Sequence, residues 1–181
     1  MSIASETFAK SILDAEHLLD HFNKLNQKPP PPETEVLKRA GLVMAMTAWE
    51  TYVEDRVLEA AEKRFSRLED TALREFVETR LNDEIKRLHN PTAAKTAQLF
   101  KDYAAVDVVA AWNWNNYPSD LVCTTLNKYM KLRGDVVHRS RPMVSGPPNA
   151  HPVTKDDLRR LISFLKNLVA ATESALASTV I

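Results

Sequence analysis

The apolar residues recur every three to four positions along most of the chain, a spacing that is typical of amphipathic α-helices. No segment shows the alternation of apolar and polar residues that predicts a β-strand, so the pattern indicates an all-α fold. We find neither an internal repeat nor a second domain and predict one domain over residues 1–181. The predicted helices cover residues of about 3–26, 33–66, 70–88, 93–103, 106–113, 120–139 and 155–177.

The second predicted helix differs from the others because apolar residues surround its axis between Val36 and Val53. A helix that is apolar on all sides is buried, so this helix should lie at the centre of the fold. The other long helices each carry one apolar stripe that should face inward. The residues predicted to face inward are listed by helix: Phe8, Ile12, Ala15, Leu19 and Phe22 in 3–26; Val36, Leu37, Leu42, Val43, Met44, Met46, Trp49 and Val53 in 33–66; Leu73, Phe76, Val77, Leu81, Ile85 and Leu88 in 70–88; Val122, Leu126, Tyr129, Met130, Val136 and Val137 in 120–139; and Leu158, Leu161, Ile162, Leu165, Leu168, Val169 and Leu176 in 155–177.

Proline and capping residues predict where the helices begin and end. Four prolines at 29–32 stop the first helix, and the sequence His-Asn-Pro-Thr at 89–92 ends the third. Ser119 and Thr154 are predicted N-caps of the last two long helices. The proline-rich segment 140–153 is interpreted as a linker, with a substrate lid as the alternative.

Overall charge does not argue for a nucleic-acid ligand, because 24 basic residues balance 24 acidic ones. The local charge differs between Lys128 and Arg141, where five Lys or Arg residues meet one Asp and give a charge of +4. Such a patch suits a short anionic segment. A single cysteine, Cys123, fits a reducing compartment, and neither a signal peptide nor an apolar run of about 20 residues is visible. We therefore expect a cytoplasmic protein that does not associate with membranes.

The candidate chemistry lies in the sequence Arg133-Gly134-Asp135-Val136-Val137-His138. Arginine binds phosphate and stays charged at physiological pH, whereas histidine exchanges protons near neutrality. Attack of an RNA 2′-hydroxyl on the adjacent phosphate needs proton removal, proton delivery and stabilisation of negative charge. The pair therefore predicts RNA cleavage without a metal, although an arginine and a histidine at this spacing are by themselves a weak signal.

The position of Arg133 on its helix leaves a second interpretation open. Arg133 lies on the apolar stripe, so its side chain needs a phosphate or a carboxylate partner. An ion pair with an acid on the central helix, such as Glu50 or Asp55, is the structural alternative. Asp135 is interpreted either as orienting Arg133 or His138, or as solvated.

The spacing of the pair also predicts a dimer. Arg133 and His138 are roughly 140° apart around one helix and about 7.5 Å apart along it, so a single helix presents them poorly to one phosphate. Two copies of the helix meeting at an interface would form a better site. Gly134 costs the helix about 1 kcal/mol relative to alanine and would permit close approach of another backbone or of RNA.

Other side chains with chemical potential have simpler interpretations. His17 and His21 have the spacing of a zinc site, but a solvated helix face is favoured, and we predict no metal and no cofactor. Trp114 and Tyr117 are suited to stacking on bases, but packing within a loop is favoured. Trp49, Trp112 and Cys123 are predicted core residues.

Four segments in order resemble the RiboL-PSP-HEPN branch of the HEPN superfamily. They are Ala-Trp-Glu-Thr-Tyr-Val-Glu at 48–54, Leu-His-Asn-Pro-Thr at 88–92, Leu-Phe-Lys-Asp-Tyr at 99–103 followed by Val108 and Trp112, and Leu132-Arg133 through His138. Together they extend over about residues 36–140. The ordered set is more specific than the arginine–histidine pair alone.

This resemblance implies an all-α HEPN-like bundle of four to five main helices plus short helices, a homodimer, and in many members a metal-independent endoribonuclease of a toxin–antitoxin or anti-phage type. Arg133 and His138 take the two motif positions. From the residues themselves, Asp135 and Glu50 are predicted to support the pair, and the local positive patch predicts that Lys131, Arg139 and Arg141 bind single-stranded RNA. The expected partners are RNA, a second copy of the chain, and an antitoxin or defence-system protein.

One residue departs from the pattern of the family. Active members usually carry a polar residue, often asparagine, after the motif arginine, and this chain has Gly134. That departure and the neutral overall charge favour the alternative function, a non-catalytic HEPN module that binds RNA, a nucleotide or a protein partner.

Overall fold

The computed structural model describes residues 2–25, 27, 31–138 and 152–178. Over these residues the fold is α-helical and no strand is present, apart from one isolated bridge between Trp114 and Tyr117. None of the described helices has both the length and the apolar character needed to cross a membrane. The helices are α1 (Ile3–Leu25), α2 (Glu35–Phe65), α3 (Thr71–Lys86), α4 (Ala93–Leu99), α5 (Ser119–His138) and α6 (Lys155–Ser178).

Helix α2 is the centre of the bundle, as its apolar pattern predicts. It packs against α1, α5 and α6 and contacts α3 at one edge. Trp49, Tyr52 and Val53 are almost completely buried on it. Each buried side chain of this size stabilises the fold by about 1.5–3 kcal/mol, so the middle of α2 is a rigid platform for the residues around it.

The chain between α4 and α5 differs from the prediction of a helix at about 106–113. Helix α4 continues into a π-helical turn, Phe100–Ala104, which ends where Ala105 adopts a left-handed conformation with φ 57°. Only a short 3-10 turn, Val109–Ala111, follows. The Asp107 carboxylate accepts the backbone N–H groups of Val109 and Ala110 at 3.1 and 3.3 Å, which starts this turn.

Of the two predicted N-caps, one is confirmed. Thr154 Oγ1 accepts the Asp157 backbone N–H at 3.1 Å, and the Asp157 carboxylate accepts the Thr154 backbone N–H at 3.2 Å. This is the reciprocal arrangement of a capping box. Ser119 is instead the first helical residue of α5, and its hydroxyl donates to the Val109 carbonyl at 2.9 Å. The prediction of Ser119 as a cap was therefore wrong, since the hydroxyl ties α5 to the preceding turn.

Five residues predicted to face inward are exposed. Leu73 and Phe76 lie on α3, which packs at the edge of the bundle and fully buries only Leu81. Val36 and Met44 lie on the solvent side of α2, opposite the helices that cover it. Val137 is 49 % exposed because the last turn of α5 extends past the core.

Candidate functional site

Arg133 lies on the buried side of α5 and reaches α2. Its Nη2 is 3.0 Å from Glu50 Oε2, and the two side chains are 23 % and 16 % exposed. Of the two acids considered from the sequence, Glu50 and Asp55, the structure pairs Arg133 with Glu50. The pair is partly shielded from water, so its electrostatic attraction is stronger than that of a surface pair.

Asn90 completes the contact between Arg133 and Glu50. Arg133 Nη1 donates to Asn90 Oδ1 at 2.8 Å, and the Asn90 backbone N–H donates to Glu50 Oε1 at 3.2 Å. Each residue of this set therefore contacts both of the others, and we call Glu50, Asn90 and Arg133 the arginine network. The guanidinium is held in place from two directions.

The role of Asn90 was missed in the sequence, although a signal for it exists. Asn90 has a φ of 60°, and asparagine is one of the few residues other than glycine that adopts this conformation readily. It stands directly before a proline in the break between α3 and α4. An asparagine at such a position indicates a fixed turn, but it does not indicate which side chain the turn contacts.

The α3–α4 turn, residues 87–92, is anchored by the elements around it. The Trp49 indole N–H from α2 donates to the Pro91 carbonyl at 3.2 Å. Asn127 of α5 accepts the Ala93 backbone N–H with its Oδ1 at 3.1 Å. The Thr92 hydroxyl accepts the Lys95 N–H at 3.4 Å and caps α4. Three helices thus fix the turn that holds Arg133.

Further carboxylate side chains lie near the arginine network. Glu54, one turn beyond Glu50 on α2, has its pKa raised by burial and, to a lesser degree, by the charges of Glu50 and Asp55. The charge of His89 acts in the opposite direction and lowers it. A phosphate bound to Arg133 would therefore lie near carboxylates, and the cations around the network would have to offset them.

His138 lies on a different side of α5 from Arg133. It is exposed in the last turn, together with Lys131, which is also exposed. A Cβ built at Gly134 would meet no atom within 4 Å, so Gly134 faces open space within the protomer. Asp135 is partly buried. The other predicted RNA-binding residues, Arg139 and Arg141, lie outside the described residues. The same is true of the proline-rich segment 140–153 up to residue 151.

The remaining candidates occupy other parts of the bundle. Trp114 and Tyr117 stack on each other with ring centroids 5.5 Å apart, and both pack against Phe164. Trp112 is buried and donates its indole N–H to Thr172 at 2.9 Å. These contacts confirm the interpretation of the three rings as packing residues. Over the residues that the structure describes, no group of three or more His, Cys, Asp or Glu side chains is arranged to hold a metal ion.

Comparison with known proteins identifies one family. A family model described as RiboL-PSP-HEPN matches residues 7–178. No curated protein and no solved structure gave a significant match. The family match covers nearly the whole chain, including α2, the α3–α4 turn and α5.

Proposed function

The chain belongs to the RiboL-PSP-HEPN family, which indicates a nuclease or RNA-related module, and on that premise we propose that it is a metal-independent endoribonuclease acting on single-stranded RNA. The observation that carries the proposal is the arginine network. A guanidinium held by Glu50 and Asn90 on three packed elements is pre-organised for a phosphate.

In this reaction Arg133 binds the scissile phosphate and His138 transfers a proton. The 2′-hydroxyl oxygen attacks the phosphorus, and the bond to the 5′-oxygen of the next nucleotide breaks. The 2′-hydroxyl loses its proton to a base, and the departing 5′-oxygen gains one from an acid. The products are a 2′,3′-cyclic phosphate and a 5′-hydroxyl end.

Arg133 retains donors for a phosphate while it is paired. Its guanidinium has five N–H groups, and one contact to Glu50 and one to Asn90 do not use them all. Lys131, Arg139 and Arg141 supply positive charge for the neighbouring phosphates, and the last two lie outside the described residues. Asp135 supports the motif from the partly buried side of the same turn.

We further propose that the active form is a homodimer joined at the end of α5. Arg133 and His138 lie on different sides of this helix, so a partner that brings its own His138 to Arg133 would complete the site. Two features of the last turns suit such an interface: Val137 is half-exposed, and Gly134 leaves space for close approach.

The first test of this arrangement is the oligomeric state. We expect light scattering of the purified protein at micromolar concentration to give about twice the mass of one chain. Val137→Asp should shift the protein to the monomer, because it places a charge in the apolar part of the interface. Leu121→Asp is the matched control, since Leu121 is an apolar residue of α5 with a similar exposure, 42 % against 49 %, and lies about 24 Å from Val137. A wild-type monomer, or equal loss of dimer in both variants, contradicts the interface.

The second test is the metal requirement. We expect the protein to cut single-stranded RNA in the presence of EDTA, because the proposed proton transfer and charge stabilisation come from side chains. Gel electrophoresis would detect the cut, and mass spectrometry would identify the cyclic phosphate. An oligonucleotide that lacks the 2′-hydroxyl at the cut position is the control and should stay intact. Activity that disappears with EDTA and returns with magnesium contradicts the mechanism.

A non-catalytic module that binds RNA, a nucleotide or a protein partner is the second candidate function. Two features of the sequence favour it: Gly134 stands where active members usually carry a polar residue, and the overall charge is neutral. Such a module would give no cut product under any condition tested, and its RNA-binding form would retain RNA in a filter-binding assay.

We also propose a cytoplasmic role in a toxin–antitoxin or anti-phage system with an antitoxin or defence-system partner protein. Its support is the single cysteine, which fits a reducing compartment, together with the resemblance noted in the sequence. The gene neighbourhood tests this role: a small adjacent gene that relieves growth arrest on co-expression supports a toxin, and neighbouring defence genes support anti-phage action.

A further inference from the structure

RNA cleavage of the proposed type moves two protons, and His138 alone is poorly placed to move both. One proton leaves the 2′-hydroxyl, and another reaches the 5′-oxygen on the opposite side of the phosphorus. In one protomer the Arg133 side chain runs toward α2 and the α3–α4 turn, whereas His138 is exposed at the end of α5. A second proton-transfer group should therefore lie on the side to which the guanidinium points.

Of the histidines that the structure describes, His89 lies on that side. It directly precedes Asn90, whose side chain accepts the Arg133 Nη1–H group at 2.8 Å, and neighbouring Cα atoms are about 3.8 Å apart. The His89 side chain is exposed. Its backbone carbonyl accepts the Lys95 ammonium group at 2.7 Å, so a second cation stands beside the histidine.

Charged groups of two neighbouring helices lie close to His89. Glu54 of α2 interacts with His89 through its charge, and Lys95 of α4 donates to the His89 carbonyl. The turn itself is held by Trp49 and Glu50, so the backbone that carries His89 has a fixed position relative to the guanidinium.

We propose that His89 is a second catalytic residue, which shares proton transfer with His138 during RNA cleavage. One of the two imidazoles accepts the proton of the 2′-hydroxyl, and the other donates a proton to the 5′-oxygen as its bond to phosphorus breaks. One imidazole gains a proton and the other loses one, so the two histidines together carry the same number of protons before and after cleavage. This inference rests on the proposed endoribonuclease function.

The test compares His89→Gln with His138→Gln on two substrates. The first is a single-stranded RNA that the wild type cuts at a mapped position in EDTA. The second is the same RNA with sulfur in place of the departing 5′-oxygen, a leaving group that needs no proton. Removing a general acid or base typically slows such a reaction by about 10²- to 10⁴-fold. His21→Gln, which changes an exposed histidine on α1, is the matched control.

We expect both His89→Gln and His138→Gln to lose activity on normal RNA, while His21→Gln keeps it. On the sulfur-containing RNA one of the two impaired variants should regain nearly wild-type activity, and that residue is the general acid. Loss of the general base slows both substrates, as a merely structural loss would, so the variant that does not recover must also unfold at the same denaturant concentration as the wild type. If His89→Gln has full activity on normal RNA, the assignment of His89 is wrong, whereas the proposed endoribonuclease function stands. The assignment is also wrong if both variants are impaired on normal RNA and neither recovers on the sulfur-containing RNA. Absence of cleavage by the wild type overturns the proposed function and this inference with it.

Discussion

Arg133→Ala should abolish RNA cleavage and also destabilise the fold. The substitution removes the group that binds the scissile phosphate, and it leaves the Glu50 carboxylate with only the Asn90 backbone N–H as its partner from the arginine network. Breaking a fully buried ion pair costs about 3–5 kcal/mol. Because Arg133 and Glu50 are 23 % and 16 % exposed, water compensates part of this loss, and we expect a decrease of about 2–3 kcal/mol in the free energy of unfolding.

The variant with both Arg133→Ala and Glu50→Gln separates the two effects. A neutral glutamine leaves no unpaired charge and retains an oxygen that can accept the Asn90 N–H, so the double variant should regain much of the lost stability. It should not regain cleavage, because the phosphate-binding group is still missing. Chemical denaturation measures the first quantity and a gel assay the second.

A second ion pair supplies the control for the stability measurement. Arg159 and Asp156 are 2.7 Å apart on α6, with side chains 55 % and 62 % exposed. Surface pairs contribute about 0–1 kcal/mol, so Arg159→Ala should change stability little and leave cleavage intact. Wild-type stability in Arg133→Ala would show that the arginine network does not contribute to folding. Wild-type cleavage would remove Arg133 from the mechanism.

The long helices could be predicted because their apolar periodicity extends over many turns. Helix α6, for example, was expected at about 155–177 and is observed at Lys155–Ser178. The segment 106–113 was too short for this kind of reasoning. Its apolar residues fit a helix or a loop equally well, and the conformation of Ala105 and the Asp107 contacts decided the outcome.

Periodicity indicates which side of a helix is apolar but not whether another element covers it. Leu73 and Phe76 have the spacing of core residues, yet they are 47 % and 62 % exposed because α3 lies at the edge of the bundle. Val137 shows the same limit at the end of α5. Burial at such positions depends on the arrangement of the helices, which a single amphipathic pattern does not contain.

The same limit applies to the candidate site, where a contact between two helices could be predicted and a contact from a loop could not. The Glu50–Arg133 pair could be predicted because a carboxylate on an apolar helix and an arginine on an apolar stripe each need a partner. Asn90 could not be assigned to them, since its contact with Arg133 joins residues 43 positions apart through a loop. No spacing rule applies to a side chain on an irregular turn. His89 lies on the same turn, so the sequence pattern does not predict its position relative to Arg133 either.

His138→Ala is expected to abolish cleavage without unfolding the protein. Loss of a general acid or base slows the reaction by about 10²- to 10⁴-fold. His138 is exposed in the last turn of α5, so it fills no part of the core. A protonated histidine at a helix C-terminus contributes about 0.3–1 kcal/mol, which sets an upper bound on the stability loss expected in chemical denaturation.

His21→Ala, in which an exposed histidine of α1 is removed, is the matched control and should cleave like the wild type. RNA affinity is measured by fluorescence anisotropy on an oligonucleotide without 2′-hydroxyl groups, so that no substrate is consumed. Under the proposed mechanism His138→Ala keeps most of its affinity and loses cleavage. The non-catalytic module would show the same affinity in both proteins and no product from either. Equal cleavage by the wild type and His138→Ala would show that His138 has no role in the reaction.

The same variant reveals which protomer supplies His138 to Arg133. His138→Ala and the double variant Arg133→Ala, Glu50→Gln should each be inactive alone. If the arginine of one protomer acts with the histidine of its partner, every mixed dimer contains one intact site. Equal mixing after subunit exchange makes half of the dimers mixed, so we expect about a quarter of the wild-type activity to return. A site formed within one protomer cannot be restored by mixing, because each protomer lacks one of the two groups. A mixture that stays inactive, once exchange has been verified, would therefore refute the composite site and require Arg133 and His138 to meet within one chain.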